Sequence, residues 1–305
     1  MNNTARDTLL LLIFFLASNC FFAQSSDTEA EELYADYKNK TDSLISVTKI
    51  NDKTILVSFG ADAVTAIKTK DGIVIIDAGI STELTSKYRE KIETAFRTKS
   101  FAYVINTHGH PDHYGGNSVF PKAKIIAQEN ALKEISAQLS NPGKKKEELT
   151  KIVNEYDSKL KECAENTDEW KYAFTQKMRY HYALNDLKLQ IPVKKPEIIF
   201  SDSCRIETGD VSFEMISFGK CHSESDILIY IPEFKILFTG DLISKYGKPS
   251  INDSLMQDKA KWKRAIAWLE NRMPNIEIII SGHGEMLTKD DLKYFNNNIL
   301  EKSLN

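Results

Sequence analysis

Five of the chain's six histidines lie in three short loops, and each loop directly follows a β-type run of apolar residues. The loops are Thr107-His108-Gly109-His110-Pro111-Asp112-His113, Gly219-Lys220-Cys221-His222-Ser223 and Ser281-Gly282-His283-Gly284. A fourth element, Thr239-Gly240-Asp241, follows another apolar run. Imidazole nitrogens and carboxylate oxygens are good ligands for divalent zinc, manganese and iron. These loops therefore predict a metal site.

The first loop carries the densest signal, because four potential ligands fall within six residues. Gly109 and Pro111 disfavour a helix or a strand there, so we expect an irregular loop folded around an ion. The alternative is a set of solvated histidines without metal. That alternative requires the two other histidine loops and Asp241 to be coincidental.

The order of these motifs resembles the metallo-β-lactamase superfamily. The family signature runs His-x-His-x-Asp-His, Gly-x-x-His, Thr-Gly-Asp and Gly-His-Gly, and all four motifs occur here in that order. The resemblance covers about residues 46–300, apart from a helical insert. It implies an α/β fold, the four-layer αββα sandwich, with metal ions at one edge in the loops between strands.

Carried over residue by residue, the resemblance implies two metal sites. The first ion would be held by His108, His110 and His222. The second would be held by Asp112, His113 and His283, with Asp241 bridging both ions. Asp77, in the run Ile75-Ile76-Asp77-Ala78-Gly79, matches an early family aspartate that supports the ligands by hydrogen bonding. The alternative for Asp77 is an ordinary turn carboxylate.

The implied chemistry is hydrolysis. Two divalent ions, zinc by preference and iron or manganese as alternatives, lower the pKa of bound water to about 7 and provide a metal-bound hydroxide. Its target would be an ester, thioester, lactone or amide, and a β-lactam is not excluded. Asp112 is the candidate catalytic residue, because it can orient the attacking water or shuttle its proton. Broad-spectrum lactamases of the family often have a cysteine ligand at the position of Asp241. An aspartate there is typical of the glyoxalase II and lactonase-like branch, which this sequence therefore resembles more.

Other functions remain open at this point. One is an iron-containing oxidoreductase of the same fold, and another is a non-catalytic protein that binds a metal or a partner. Cleavage of nucleic-acid phosphodiesters is disfavoured, because the net charge is -3 and the pI is about 6.1. We therefore expect a small-molecule substrate and no nucleic-acid partner. The sequence leaves the oligomeric state open.

The N-terminus predicts export. Arg6 precedes the apolar run 9–16, which is too short to span a bilayer comfortably and fits a secretory signal peptide. We place the signal peptide at residues 1–23, with cleavage after Ala23, and expect a periplasmic or secreted protein. Membrane contact is expected only if the signal is retained as an anchor or Cys20 carries a lipid. Cys163, Cys204 and Cys221 are an odd number and imply no disulfide framework.

Downstream of the signal peptide we expect a linker with a short helix over 24–45 and one domain over 46–303. Short β-type runs alternate with helical segments, which suggests two sheets with helices outside. Helices are expected at 82–97, 257–272 and 289–303. Residues 128–190 are poor in glycine and rich in charge, and predict an insert of two or three helices, broken at Pro142-Gly143 and at Asn166-Thr167-Asp168.

Several residues near these motifs have a plain interpretation beside a functional one. His181, in the insert, is expected on a surface or helix face and not as a ligand. Cys221 is expected to be a packing residue. The insert aromatics Trp170, Tyr172, Phe174, Tyr180 and Tyr182 form either the insert's own core or a wall of the substrate pocket. Lys245 and Lys248 are solvated lysines or a contact for a substrate carboxylate.

Overall fold

The structure is a computed structural model that describes residues 35–243, 259–294 and 297. The chain divides after Leu44 into two compact units. In the first unit, residues 35–44 form a helix, α1, within the segment expected to carry a short helix. The proposed signal peptide, Cys20, Lys245 and Lys248 lie outside the described residues. No helix among the described residues has the length and apolar character needed to cross a membrane.

A seven-stranded sheet forms the first half of the larger unit, and its strands lie in sequence order. The strands are β1 Ser46–Lys49, β2 Thr54–Phe59, β3 Asp62–Thr69, β4 Gly72–Ile76, β5 Phe101–Ile105, β6 Lys124–Gln128 and β7 Ile198–Phe200. Neighbours from β1 to β4 are antiparallel, and neighbours from β4 to β7 are parallel. Parallel neighbours need crossover connections, which is where the helices of this half lie.

A six-stranded sheet forms the second half, in the order β13-β12-β11-β10-β9-β8. Its strands are β8 Ser203–Glu207, β9 Ser212–Gly219, β10 Asp226–Ile231, β11 Ile236–Phe238, β12 Ile278–Ile280 and β13 Met286–Leu287. All neighbours are antiparallel except β11 and β12, which are parallel. The helix α7, Lys259–Arg272, provides the crossover between those two strands.

The two sheets pack face to face around an apolar core, which confirms the expected arrangement of two sheets. On β10, Ile227, Ile229 and Ile231 belong to the core between the sheets, whereas Leu228 and Tyr230 belong to the cluster that includes α7. This alternation is the period of two that a strand imposes on its side chains. Both faces of β10 are therefore buried, which explains why its sequence is a continuous apolar run.

Polar caps set where several helices begin. Ser81 accepts a hydrogen bond from Leu84 N and caps α2, Thr82–Phe96, while Thr167 accepts one from Trp170 N and caps α6, Asp168–Lys188. The remaining helices are α3 Pro111–Tyr114, α4 Asn130–Leu139, α5 Pro142–Glu162 and α8, residues 289–294. The break expected at Asn166-Thr167-Asp168 is thus the N-cap of α6.

Three helices, α4, α5 and α6, occupy the segment expected to be a helical insert. Its aromatic residues pack with one another and with the first sheet. Phe174 stacks on Trp170 at a ring-centroid distance of 4.9 Å and meets Phe59 of β2 edge-on at 6.5 Å. The core interpretation of these aromatics is therefore the one that the structure supports for Trp170 and Phe174.

Packing between the sheets should dominate stability. Phe213, on β9, is fully buried in the core between them. The change Phe213→Ala is expected to lower the free energy of unfolding by about 3–5 kcal/mol, because it leaves a cavity that neighbours cannot fill. Urea denaturation measures this change. Ile199→Ala, at a side chain that is 49% exposed, is the control and should have a much smaller effect.

Candidate metal centre

The three histidine loops and Asp241 meet where four strands end. β5 of the first sheet leads into the first loop, and β9, β11 and β12 of the second sheet lead to His222, Asp241 and His283. Ile227 N donates a hydrogen bond to Thr107 O at 3.1 Å, which ties the first loop to the second sheet. The predicted ligands therefore converge from both sheets at one edge of the sandwich.

The predicted first set of ligands, His108, His110 and His222, forms one cluster, here called the first triad. The Nδ1 atom of His110 lies 2.9 Å from Nε2 of His108 and 3.1 Å from Nε2 of His222. His108 is buried and the other two are half-buried. Three ring nitrogens thus face one small volume from three directions.

The predicted second set, Asp112, His113 and His283, forms another cluster, the second triad. The Nε2 atom of His113 lies 3.7 Å from Oδ1 of Asp112. Asp241 lies between the two triads, because its Oδ2 atom is 3.1 Å from Nε2 of His283, 3.4 Å from Nε2 of His113 and 3.6 Å from Nε2 of His222. All seven predicted ligands are therefore brought together.

Hydrogen bonds behind the ligands fix which ring nitrogen faces inward. Nδ1 of His113 lies 2.9 Å from Oδ2 of Asp77, and Nδ1 of His283 lies 2.7 Å from the carbonyl oxygen of Ala61. Since both acceptors are oxygens without a proton to give, each Nδ1 carries a hydrogen, so the neutral form of each ring has its lone pair on Nε2. That is the tautomer a metal ion requires.

Asp77 makes more than this one contact, as the sequence predicted for a supporting carboxylate. Its Oδ1 accepts from Thr107 N at 2.7 Å, and its Oδ2 accepts from the Thr107 hydroxyl at 2.8 Å. The hydroxyl oxygen in turn lies 3.1 Å from Nδ1 of His108. Asp77 has a left-handed backbone, with φ of 57°, which an aspartate tolerates better than most residues.

One prediction for the first loop was wrong. Gly109 and Pro111 were expected to prevent a helix, but Pro111–Tyr114 form the one-turn helix α3. Proline is acceptable at the first helical position, because the N–H that it lacks would have no partner inside the helix. The turn directs Asp112 and His113 together toward the second triad.

The insert contributes a buried arginine that sequence reasoning missed. Arg179, on α6, has a 5% exposed side chain, and its Nη2 lies 3.3 Å from Oδ2 of Asp112. Its Nε lies 3.8 Å from Oδ1 of Asp62, which is buried and also accepts a hydrogen bond from the Tyr88 hydroxyl at 2.9 Å. Asp112 therefore contacts Arg179 through Oδ2 and faces His113 with Oδ1.

Two further carboxylates hold the histidine loops. Oδ2 of Asp226 accepts from His222 N at 2.7 Å and from Ser223 N at 2.8 Å. Glu134, on α4, accepts a short hydrogen bond from the Ser225 hydroxyl, which itself accepts from Gly109 N at 2.9 Å. Asp226 could have been suspected as a turn carboxylate close to His222, whereas nothing in the local sequence around Glu134 or Arg179 indicates these contacts.

Burial and mutual charge set the protonation of the ligands. Burial, together with His222 and His113, lowers the pKa of His110 to about 4, and burial with His113 lowers the pKa of His108 well below its usual range. Burial disfavours the ionised form of Asp241, but His113 and His283 outweigh it and hold its pKa well below the usual range. Burial lowers the pKa of His113 and His283, but Asp241 and neighbouring carboxylates outweigh burial and raise both pKa values, that of His113 well above its usual range. Because a metal ion binds the neutral imidazole, these two rings lose a proton when an ion binds.

The residues present fit divalent metal ions. Nε2 of His113 and Oδ1 of Asp241 are buried without a hydrogen-bond partner in the described part of the chain, which costs free energy unless another group satisfies them. A Cβ atom at Gly282 would collide with Oδ1 of Asp241 and lie 2.9 Å from Cε1 of His113. The third loop therefore leaves room beside these ligand atoms that any side chain would fill.

Two nearby residues match their plain interpretations. His181 lies on α6 with Nε2 3.1 Å from Nδ2 of Asn185, and it belongs to none of the ligand clusters among the described residues. Cys221 is fully buried in the cluster that includes α7. Neither residue contributes a ligand atom to the triads.

The hydrogen bonds of Asp77 lead to a testable expectation. Asp77→Asn is expected to weaken metal binding about 10- to 100-fold, because an amide nitrogen would face the Nδ1 proton of His113 and turn the ring away. Competition with a chromophoric zinc chelator measures the affinity. Asp71→Asn, in the exposed turn between β3 and β4, is the matched control and should bind metal as the unaltered chain does.

Comparison with known proteins agrees with this architecture. The family model described as the metallo-β-lactamase superfamily matches residues 59–283. A metallo-β-lactamase type 2 from Bacillus cereus is 24% identical over 294 residues, covering 92% of this chain and 94% of the relative. This chain belongs to the metallo-β-lactamase superfamily. With the His/Asp clusters described above, it is a metal-dependent hydrolase of that superfamily.

Solved structures share the fold at low sequence identity. The metallo-β-lactamase from Pontibacter korlensis is 19% identical, with a TM-score of 0.55, covering 84% of this chain and 99% of that one. The stereoselective inverting sec-alkylsulfatase Pisa1 from Pseudomonas sp. is 16% identical, with a TM-score of 0.60, covering 85% of this chain and 42% of that one. These two enzymes are named for different reactions, so the fold does not assign the substrate.

Proposed function

We propose that the protein is an exported di-zinc hydrolase that cleaves an ester, thioester, lactone or amide bond in a small molecule. The observation that carries this proposal is the position of Asp241, whose Oδ2 lies within 4.0 Å of one or more histidine nitrogens from each triad. A carboxylate placed between two sets of three ligands is suited to two ions and not to one.

Zinc is favoured by the donor set of five imidazoles and two carboxylates. His108, His110 and His222 would hold the first ion, Asp112, His113 and His283 the second, and Asp241 both. Two such ions supply Lewis-acid polarisation of the scissile group and a water whose pKa is lowered to about 7.

Asp112 is the group suited to handle the proton of the attacking water. Burial raises its pKa, but His113, His283 and Arg179 outweigh burial and hold the pKa below the usual range, so the carboxylate is ionised at neutral pH. Arg179 occupies Oδ2, which leaves Oδ1 on the side of the second triad. Asp112 would orient a water with Oδ1 and accept its proton there.

The residue at position 241 supports one branch of the family. The aspartate there favours a substrate range like that of glyoxalase II and lactonases over a dedicated β-lactamase. A β-lactam nevertheless stays in the set of substrates to test, because the similar protein from Bacillus cereus is named a metallo-β-lactamase. A sulfate ester is included because of the fold shared with a sec-alkylsulfatase.

Export is proposed from the N-terminal sequence. The apolar run 9–16, followed by small and polar residues up to Ala23, supports a signal peptide and a periplasmic or secreted location. A lipid on Cys20 is the alternative. Labelling of cells with a clickable palmitate analogue, comparing the natural chain with Cys20→Ser, distinguishes the two: an incorporated label lost in Cys20→Ser would overturn cleavage after Ala23.

Metal content is the measurement that tests the function. The mature chain from Gln24 would be purified without added metal and analysed beside His110→Ala and the matched control His181→Ala. We expect about two zinc ions per chain, fewer in His110→Ala and an unchanged number in His181→Ala. Iron would favour an oxidoreductase of the same fold. No metal, and no uptake of supplied zinc, would leave a non-catalytic binding protein.

A substrate panel follows, run with zinc. It would contain a lactone, a thioester, a β-lactam, p-nitrophenyl sulfate and bis-p-nitrophenyl phosphate. Hydrolysis of a lactone or thioester that is lost in His110→Ala and kept in His181→Ala would support the proposal. Cleavage of the phosphate diester alone would contradict the expected substrate class.

A further inference from the structure

A cavity of about 90 Å³ lies between the insert and the first half of the large unit. None of the seven predicted ligands is among its lining residues in the described chain. The lining is mostly apolar and includes Ile80, Tyr114, Leu139, Leu149, Leu187 and Ile191. The insert helices α4, α5 and α6 each contribute a wall, so the cavity depends on the insert.

The cavity and the metal centre lie on two sides of α3. Pro111, Tyr114 and Gly115 line the cavity, and their spacing places them on one face of a helical turn. Asp112 and His113, on the other face of the same turn, belong to the second triad. A group in the cavity would therefore contact the backbone segment that carries two of the predicted ligands.

One face of α6 runs from the metal centre to the cavity. Arg179 contacts Asp112, while Ala183 and Leu187, one and two turns further on, line the cavity. Residues four apart lie above one another on a helix. The metal centre and the cavity therefore lie along the same face of this helix, one to two turns apart.

The polar side chains that line the cavity either have hydrogen-bond or ion-pair partners or lie at its exposed edge. Asp186 accepts hydrogen bonds from Thr82 N at 2.6 Å and from the Thr82 hydroxyl at 2.7 Å. Lys145 pairs with Glu148 at 3.6 Å, and Gln138 is exposed. Apart from the Asp186 carboxylate, whose two oxygens already accept hydrogen bonds from Thr82, the described lining therefore offers mainly apolar contacts.

We propose that this cavity binds an unbranched alkyl chain. An apolar cavity of about 150 Å³ in another protein holds a benzene ring, so a cavity of about 90 Å³ takes up only a few methylene groups, and the rest of the chain would lie at the exposed rim near Gln138 and Pro192. The alkyl chain could be the tail of the hydrolysed substrate, in which case the inference rests on the proposed function. It could also be a separate apolar molecule that binds behind α3, and that case does not need hydrolysis.

Binding of 1-hexanol tests the cavity without reference to activity. An alcohol is chosen because a carboxylate would also bind metal ions. Calorimetry at several temperatures should show binding to the natural chain with a negative heat-capacity change, the mark of apolar burial. Ala183→Leu should weaken binding at least about tenfold, because its extra carbons displace part of the alkyl chain.

Ala137→Leu is the matched control, since it makes the same substitution on the exposed surface of the insert. It should bind 1-hexanol as the natural chain does. Leu187→Phe, at a half-buried position of the cavity wall, is a second filling variant in case Ala183→Leu does not fold. Absence of 1-hexanol binding, or equal binding by the filling variants and the control, would overturn the proposal.

Hydrolysis of p-nitrophenyl esters from acetate to octanoate distinguishes the two sources. A rise of kcat/KM with chain length that is lost in Ala183→Leu, with 1-hexanol as a competitive inhibitor, identifies the tail of the substrate. Binding of 1-hexanol without competition against the esters identifies a separate ligand. If no ester is cleaved but 1-hexanol binds, the cavity proposal stands and only the ester substrate fails.

Discussion

Replacing Asp241 with asparagine is expected to weaken binding of both metal ions together and to reduce hydrolysis more than about 100-fold. Residues that only support ligands already contribute 10- to 100-fold. Asp241 should contribute more, because its Oδ2 lies 3.1 Å from Nε2 of His283 and 3.6 Å from Nε2 of His222, which belong to different triads. An amide oxygen in its place carries no charge to balance two ions.

The pattern of metal loss separates this effect from a general loss of structure. Asp241→Asn should release both ions, whereas His110→Ala should affect the ion of the first triad more strongly. Zinc per chain, measured over a range of chelator concentrations, gives both values. Asp210→Asn, at a carboxylate paired with Lys53 at 2.6 Å, is the control. Retention of two tightly bound ions in Asp241→Asn would contradict the shared role of this residue.

Replacing Arg179 with methionine is expected to lower both the free energy of unfolding and the metal affinity of the second triad. The change removes the positive charge between Asp62 and Asp112 and keeps much of the side-chain length. Breaking a buried ion pair by removing one partner typically costs about 3–5 kcal/mol, so the free energy of unfolding should fall by that order. Metal affinity of the second triad should fall as well, because Asp112 is no longer held through Oδ2.

Urea denaturation and zinc competition measure these two quantities. Arg179→Lys should recover part of the stability, since it restores the charge, but less of the metal affinity, since an ammonium cannot span both carboxylates as a guanidinium does. Arg205→Met is the control, because Arg205 is exposed and pairs with Glu207 at the surface. If Arg179→Met behaved like this control, the insert would not support the metal centre.

The sequence predicted which residues come together, because they are chemically distinctive residues in loops that follow strands. His108, His222 and His283 are far apart in the chain, yet each follows a recognisable apolar run. Strands that end at the same edge of the sandwich bring the loops that follow them together. The structure brings six of the seven residues into two triads, with Asp241 between them. Their role as ligands stays a prediction.

What the sequence could not indicate are contacts between ordinary residues far apart in the chain. Arg179 and Asp112 are 67 positions apart, and an arginine in a charged helix normally points to solvent. The strand β1 has no clear signal in the sequence, because its four residues, all exposed, show no alternation of apolar and polar side chains. The turn of α3 was missed because proline was taken as a helix breaker and not as a first helical residue.

The ligands of the second triad come from distant parts of the chain, since Asp112 and His113 belong to the first sheet's half and His283 follows β12. A growing or unfolded chain therefore holds at most a fragment of the site. Binding free energy would then be gained only by the folded state, so bound metal would act as a cross-link between the two sheets. Metal loading should come after folding, and under the export proposed above the metal would then be supplied outside the cytoplasm.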